Sequence, residues 1–258
     1  MSSFFSHVKR GIHETMNHDN IPKRLRVVAE HIRAGSVIAD IGTDHGAVPI
    51  FALKQNLAAS AAACDVNDGP LAAARRNIQE EQLEEWISVC SGDGLHALQE
   101  GDDVDTVIIS GMGGTLISSI LEDGQTILDG VGHLILQPNM GAVNIRRWLR
   151  TNGWKLESED IIEENNRIYE ILTAIPGKAD SPYSSTPLMR EAEMLFGPFL
   201  MKEQNDAFRK KWTREKEQWK RVLHQLKKAG QPGQVEEKKQ ELMRKIRLAE
   251  EVLPDENS

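Results

Sequence analysis

The chain has two cysteines, Cys64 and Cys90, among 258 residues. That is too few for a disulfide framework or a cysteine-based zinc site, and no metal-ligand set is expected. Reduced thiols in the cytoplasm are the expectation. Long apolar runs are missing too. No stretch approaches the roughly 18 apolar residues that a membrane span needs. Met1 to Asn20 has no apolar core of a secretory signal. The glycine fingerprint G-x-G-x-x-G is absent, which speaks against a nicotinamide dehydrogenase. There is no long internal repeat and no low-complexity tract. What remains is 40% hydrophobic and 27% charged, the balance of a globular protein rather than a disordered one. The length suits one or two domains at roughly 150 residues each.

Charge is unevenly spread. The net charge is −8, yet residues 181–258 carry 16 basic and 13 acidic side chains, a balance of +3, and residues 1–180 carry −11. Met201 to Lys228 holds ten basic and four acidic residues. An acidic body thus bears a basic appendage, suited to a polyanion. The plain alternative is a solvated helix face.

Residues 1–34 read as helical and polar, with an amphipathic run through Val28 and Ile32 that Gly35 stops. Short buried strands are predicted at 36–41, 58–64, 87–90, 105–110 and 133–136, with helices over 48–55, 70–85, 114–121 and 142–151. The segments 155–162 and 167–175 read as a closing hairpin. Strands alternating with helices predict a parallel, doubly wound, Rossmann-like α/β sheet with antiparallel edge strands. Lys178 to Pro187 reads as a linker. Beyond it, Phe208, Trp212, Trp219, Val222 and Leu226 recur at heptad-like steps, as do Val235, Leu242, Ile246, Ala249 and Leu253. With Gly230-Gln231-Pro232-Gly233 as a turn, they predict an antiparallel helical hairpin. The domains divide as 1–180 and 181–258.

The chemistry gathers after the strands. Asp40-Ile41-Gly42-Thr43-Asp44-His45-Gly46 follows the first. Ligands of open α/β sheets bind beyond the carboxyl ends of the strands. The carboxylates of Asp40 and Asp44 would repel a pyrophosphate but suit a cationic ligand such as S-adenosylmethionine, with its sulfonium and amino groups. A plain tight turn is the alternative. Asp65 closes the second strand, 25 residues after Asp40, where an acid accepts ribose hydroxyls. Asn67 adds a hydrogen bond there or caps the next helix. Asp93 and Gly94, after the third strand, fit the exocyclic amine and ring of an adenine, or form an ordinary turn. Ser110-Gly111-Met112-Gly113-Gly114 follows the fourth strand and leaves room for a flat substrate.

Taken together, DIGTDHG at 40–46, the acid at 65, GDG at 92–94, SGMGG at 110–114 and LILQPN at 134–139 resemble the bacterial tRNA (adenine-22-N1)-methyltransferase family. Arg146-Arg147-Trp148-Leu149, Gly153-Trp154 and Arg167-Ile168-Tyr169-Glu170 fit it as well. The resemblance spans roughly residues 18–175, and the helical hairpin matches the family's layout. It implies S-adenosylmethionine as cofactor, tRNA as partner, methyl transfer to N1 of a D-arm adenine, and a coiled-coil C-terminal domain. Three departures stand out. Asp65 replaces the family's more common Glu, Ser110 replaces an Ala, and Ala47-Val48-Pro49 lacks an aromatic, which puts a stacking role there in doubt.

On this reading Asp40, Gly42, Asp44, His45, Asp65, Asn67, Asp93, Gly94, Gly111 and Met112 hold the cofactor. Asn139, Asp44 and Met112 serve the transfer. Adenine N1 has an in-plane lone pair, so alignment and charge stabilisation matter more than a general base. N1 lies on the pairing edge, so the base must leave its helix. Arg24, Arg26, Arg146, Lys210, Lys211 and Arg214 are the candidates for substrate contact, and the basic helix for phosphate. Trp212 and Trp219 are read as core. A monomer is expected. The competing readings are a methyltransferase for protein or small molecules, and a silent RNA-binding relative. Deletion of 185–258 is expected to spare cofactor binding and weaken tRNA binding.

Overall fold

Strands and helices alternate from the start of the described chain. The computed structural model describes residues 21–99, 102–228 and 234–253. The predicted helical residues before position 21 and the Gly230–Gly233 turn lie outside the described residues. In chain order the elements are α1 (Lys23–Glu30), β1 (Ser36–Ile41), α2 (Ala47–Lys54), β2 (Ala58–Asp65), α3 (Asp68–Glu80) and β3 (Ile87–Ser91). After a 3₁₀ turn at Gly94–Ala97 come β4 (Thr106–Gly113), α4 (Gly114–Asp123), α5 (Gln125–Leu128), β5 (His133–Met140), α6 (Ala142–Thr151), β6 (Trp154–Glu164) and β7 (Arg167–Pro176). The last elements are α7 (Pro187–Phe196), α8 (Leu200–Glu203), α9 (Asp206–Lys228) and α10 (Gln234–Val252).

The sheet order is β3-β2-β1-β4-β5-β7-β6. Neighbours among the first five strands are parallel, and β7 runs antiparallel to both β5 and β6. The doubly wound sheet with an antiparallel edge hairpin is therefore as predicted. The order reverses between β1 and β4, which sets a crevice at their carboxyl ends.

Period-two alternation assigns side chains to two cores. Ile38, Ala61, Ala63, Ile108 and Ile135 face one side and pack with Leu25 and Val28 of α1, Val48 and Ala52 of α2, and Ala74 and Ile78 of α3. Ala39, Ile41, Val107, Ile109, Leu134 and Leu136 face the other, against Ile117 and Leu121 of α4 and Ile145 and Leu149 of α6. A strand buried on both faces shows no polar alternation, which is why these runs read as continuous apolar segments. Cys64 and Cys90 are register neighbours on β2 and β3, and both are free thiols.

Three boundaries differ from the sequence reading, each for a local reason. Helix α3 stops at Glu80 rather than Glu85 because Gln82 turns left-handed (φ +57°). Leu83 N–H then donates to Ile78 C=O at 3.0 Å and Gln82 N–H to Gln79 C=O at 3.0 Å, a Schellman closure. Strands β4 and β5 run on through Gly113 and Met140. Ser110 pairs with Gln137 and Met112 with Pro138, leaving Gly111 out of the ladder as a bulge. Helices α7 and α8 were not predicted; the linker ends at Pro187, which opens α7.

Helices α9 and α10 lie alongside each other and against the sheet edge. Lys220 pairs with Glu250 at 3.4 Å, and Gln204 Nε2 donates to Val252 C=O at 3.1 Å. Phe208 and Trp212 share a core with Phe196 of α7, Leu248 and Ala249 of α10, and Ile161 of β6. Trp212 meets Phe196 edge-on at 4.6 Å, the core role read for it. Asn205 starts α9 by accepting the Phe208 N–H at 3.0 Å. Among the described residues no helix is long and apolar enough to cross a membrane.

Candidate active site

Five parallel strands stand side by side, so the loops at their carboxyl ends form one continuous edge. In spatial order these are the GDG turn after β3, Asp65 ending β2, the DIGTDHG loop after β1, SGMGG closing β4 and QPN closing β5. The motifs read separately in the sequence are thereby brought together.

At the switch point lies a cavity of about 250 Å³ lined by Arg24, Asp40, Gly42, Asp44, Ser110, Gly111 and Met112, among others. Asp40 forms its buried floor. Thr43 donates its hydroxyl to Asp40 Oδ2 at 2.7 Å, while Oδ1 is buried with no partner among the described residues. Burial raises the Asp40 carboxyl from 3.8 to about 6; the Thr43 hydrogen bond opposes the rise, and Asp44 and Asp65 add to it. At neutral pH this is a desolvated anion with one oxygen unpaired, an arrangement that calls for a donor or a cation.

The loop above Asp40 bends through three residues with positive φ: Gly42 (+76°), His45 (+59°) and Gly46 (+73°). A Cβ on Gly42 would stand 2.0 Å from Met112 Cε, so the β1 and β4 loops touch here. Asp44 and His45 are exposed and pair at 3.1 Å. Asn77 of α3 donates to the His45 carbonyl at 2.9 Å and holds the loop's shape.

Along the edge, Asp65 Oδ1 accepts both the Asn67 N–H at 2.7 Å and its side-chain Nδ2 at 3.0 Å. Asn67 therefore orients Asp65, and it makes no side-chain cap on α3. Asp93 is exposed just before Gly94, which has φ +56°. Gly92 is forced by packing, because a Cβ there would lie 2.5 Å from Ala97 Cα.

At the β4–β5 end, the bulged Gly111 (φ +78°) is held on both sides. Its N–H donates to Gln137 Oε1 at 3.2 Å, and its carbonyl accepts Asn139 Nδ2 at 2.5 Å. Arg24 also reaches Gln137 Oε1, at 3.4 Å, and lies 5.7 Å from the Tyr169 ring centroid. Gln137 and Tyr169 enter the sequence reading only inside LILQPN and Arg167-Ile168-Tyr169-Glu170, with no role of their own. The signal for Gln137 was available: it is the one polar residue in the apolar run LILQP.

The predicted substrate contacts divide. Arg24 lines the cavity, and Arg26 is half-buried on the same helix. Arg146 is corrected: it is fully buried, 2.6 Å from Glu159 and 2.5 Å from Glu170, and its Nη1 donates to the Leu195 carbonyl at 3.2 Å. A guanidinium enclosed in this way is out of reach of RNA. Lys211 pairs with Glu170 and Lys210 with Glu163, so both tie α9 to the sheet rather than standing free for phosphate. Arg214 is exposed and pairs with no carboxylate among the described residues.

A wider groove of about 930 Å³ runs between α6, α7 and α10. Its charged lining is Arg147, Arg190, Arg244 and Lys245 against Glu191, Glu237 and Glu241, too balanced for a phosphate track.

Comparison with known proteins agrees with this geometry. The family model described as TrmK, tRNA (adenine(22)-N(1))-methyltransferase, matches residues 38–251. The tRNA (adenine(22)-N(1))-methyltransferase of Bacillus subtilis is 42% identical over 238 residues, which span 92% of this chain and 99% of that protein. The crystal structure of the B. subtilis m1A22 tRNA methyltransferase superposes with a TM-score of 0.84 at 41% identity, covering 91% of this chain and 99% of that one. Sp1610 of Streptococcus pneumoniae, in complex with S-adenosyl-L-methionine, gives 0.79 at 36% identity over 91% of this chain and 100% of that one. A strand order reversing between β1 and β4, a row of acids along one sheet edge and this degree of identity agree: the chain belongs to the tRNA (adenine(22)-N(1))-methyltransferase family.

Proposed function

We propose that the protein transfers the methyl group of S-adenosylmethionine to N1 of adenine 22 in tRNA. The observation that carries the reading is the buried Oδ1 of Asp40, without a partner among the described residues, at the floor of the switch-point cavity. The residues fit the cofactor. A cationic ligand meets the Asp40 and Asp44 carboxylates. A cavity of about 250 Å³ is at the small end for a cofactor site, so it takes the methionine end. Asp65, oriented by Asn67, would hold the ribose, and Asp93 with Gly94 would hold the adenine. His45 walls the loop. The binding of S-adenosylmethionine by the S. pneumoniae relative supports this assignment.

The cofactor supplies an electrophilic methyl group whose bond to sulfur breaks with its electron pair left on sulfur. The chain's own task is alignment and charge. The N1 lone pair needs no base to uncover it, so no residue is required to remove a proton before transfer. Asp40 and Asp44 would supply negative charge beside a bound sulfonium and the transferring methyl group. Met112 and Gly111 shape the floor on which the flat base rests, and Asn139 stands at its edge.

The basic helix α9 holds the tRNA by phosphate contacts that position it without reading sequence. Arg214 is the best placed of the predicted cations, with Arg24 nearer the cavity. We read α9 and α10 as a coiled-coil hairpin and the chain as a cytoplasmic monomer of two units, 1–180 and 181–258. Support for the monomer comes from Phe208, Trp212, Leu248 and Ala249, whose apolar stripe is consumed against α7 and β6. The test is methyl transfer to unmodified tRNA transcripts, with the product nucleoside identified and mapped. N1-methyladenosine at position 22 is the expected product. Cofactor binding without transfer to folded tRNA would overturn the reading.

A further inference from the structure

We propose that Asn139 selects adenine by presenting a fixed hydrogen-bond acceptor to its exocyclic amine. The inference rests on the methyl-transfer reading above and adds the means by which the base is chosen.

An amide side chain offers one acceptor and two donors, and its neighbours decide which end faces where. Asn139 has its orientation set by Gly111. The Gly111 carbonyl accepts Asn139 Nδ2 at 2.5 Å. The flipped amide would put oxygen against oxygen at that distance, a repulsive contact. Nδ2 therefore faces Gly111, and Oδ1 faces the other way. Oδ1 has no protein partner among the described residues, and the side chain is exposed beside Gly111, which lines the cavity.

Gly111 cannot readily turn to release the amide. It is the bulged residue of β4 with φ +78°. Its N–H is bound by Gln137 Oε1 at 3.2 Å, and Gln137 is fully buried and also takes Arg24 at 3.4 Å. Gln137 thus locks the peptide, the peptide locks Asn139, and the acceptor is fixed before any base arrives. Gln137 is a positioning residue, and Asn139 is the one that meets the base.

The Watson–Crick edge of adenine places an amine donor at C6 beside the N1 lone pair. Guanine and hypoxanthine place a carbonyl acceptor at C6 and a proton on N1. An acceptor-only contact at C6 favours the first pattern and repels the second. The same contact leaves N1 bare for methylation.

The experiment uses full-length protein and ligated tRNA carrying adenosine or purine riboside at position 22. Purine keeps N1 and lacks only the amine. Wild type and Asn139→Ala are compared by kcat/KM on both RNAs, so that the lower intrinsic reactivity of purine cancels in the ratio. The expected result is an adenosine-to-purine ratio about tenfold or more larger in wild type than in Asn139→Ala, the size of one lost hydrogen bond. Gln137→Ala is expected to shrink the ratio part of the way. Equal ratios in wild type and Asn139→Ala, with unchanged cofactor affinity and melting temperature, would overturn the proposal. Failure of wild type to methylate even the adenosine RNA would instead sink the functional reading beneath it.

Discussion

Arg146 donates its Nε–H to Glu159 Oε1 at 2.6 Å, and neither side chain is exposed to solvent. The guanidinium also holds Glu170, which Lys211 of α9 reaches from the other side. Burial alone would raise Glu170, but Lys211 and Arg146 hold it below the ordinary carboxylate range. Two cations balance two anions across α6, β6, β7 and α9. Gly197 makes room for the cluster: a Cβ there would lie 2.7 Å from both Arg146 Nη2 and Glu159 Oε2. The charges that look like an RNA surface in the sequence pin the C-terminal helices to the sheet.

Removing one member of such a cluster strands the others in a dry interior. Arg146→Ala is therefore expected to destabilise the fold by about 3–5 kcal/mol. Urea unfolding at neutral pH checks it. A loss below about 1 kcal/mol, the scale of a surface pair, would show that the cluster is not buried in solution.

Asp40 makes the free protein pH-sensitive in a direction opposite to a salt-bridged acid. Its folded-state value, about 6, lies above the ordinary 3.8. Between those values the native state binds more protons than the unfolded one, so stability falls as pH rises through that window. The cost levels off above pH 6 at about 3 kcal/mol, from roughly two pKa units. Asp40→Asn should remove this slope in urea titrations from pH 4 to 7. S-adenosylmethionine should show the opposite trend, binding more weakly as the carboxylate protonates below pH 6. Affinity that stays flat from pH 5 to 7 would mean Asp40 does not meet the cofactor's cation.

Much of the architecture was legible because it follows from local patterns. The runs at 36–41, 106–109 and 133–136 are apolar on both faces, and each leads into a turn with glycine or proline. What was hidden depended on distance. Arg146 lies on the stripe Ala142, Arg146, Leu149, which marks it as inward, yet nothing local names Glu159 and Glu170 as its partners. In β6 a register shift between Leu156 and Ser158 breaks the period, so that the buried positions are Trp154 and Leu156 before it and Glu159 and Ile161 after it. A strict alternation points Glu159 outward. The Gly111 clamp was hidden for a similar reason: Gln137 and Asn139 are 26 and 28 residues away and meet it only once β4 and β5 pair.

Asp65 and Asn67 form a unit whose parts are separable by mutation. Asp65→Ala removes the acceptor proposed for the ribose and should weaken cofactor binding by roughly 10- to 100-fold, the range of hydrogen bonds to a charged group. Asn67→Ala keeps the backbone N–H bond to the carboxylate and removes only the Nδ2 contact, and should cost only a few-fold. Isothermal titration of both variants checks the order. Equal losses would mean that Asn67 touches the ligand itself.

The basic helix is best tested by charge reversal rather than by deletion. Deleting 185–258 would uncover Ile161 and leave Glu170 without Lys211. Any loss of tRNA binding would then be confounded with loss of the fold. Arg214, Lys216 and Arg221 form no ion pair with a carboxylate among the described residues, whereas Lys210, Lys211 and Lys220 do. Changing Arg214, Lys216 and Arg221 together to Glu should preserve the melting temperature and cofactor affinity. It should reduce tRNA affinity at least tenfold at low salt. Each phosphate contact contributes just under one unit to the slope of log K against log salt, so the slope should flatten by about two units if most of the three touch phosphate. An unchanged slope would move the tRNA to another face of the protein, with Arg24 at the cavity as the first place to look.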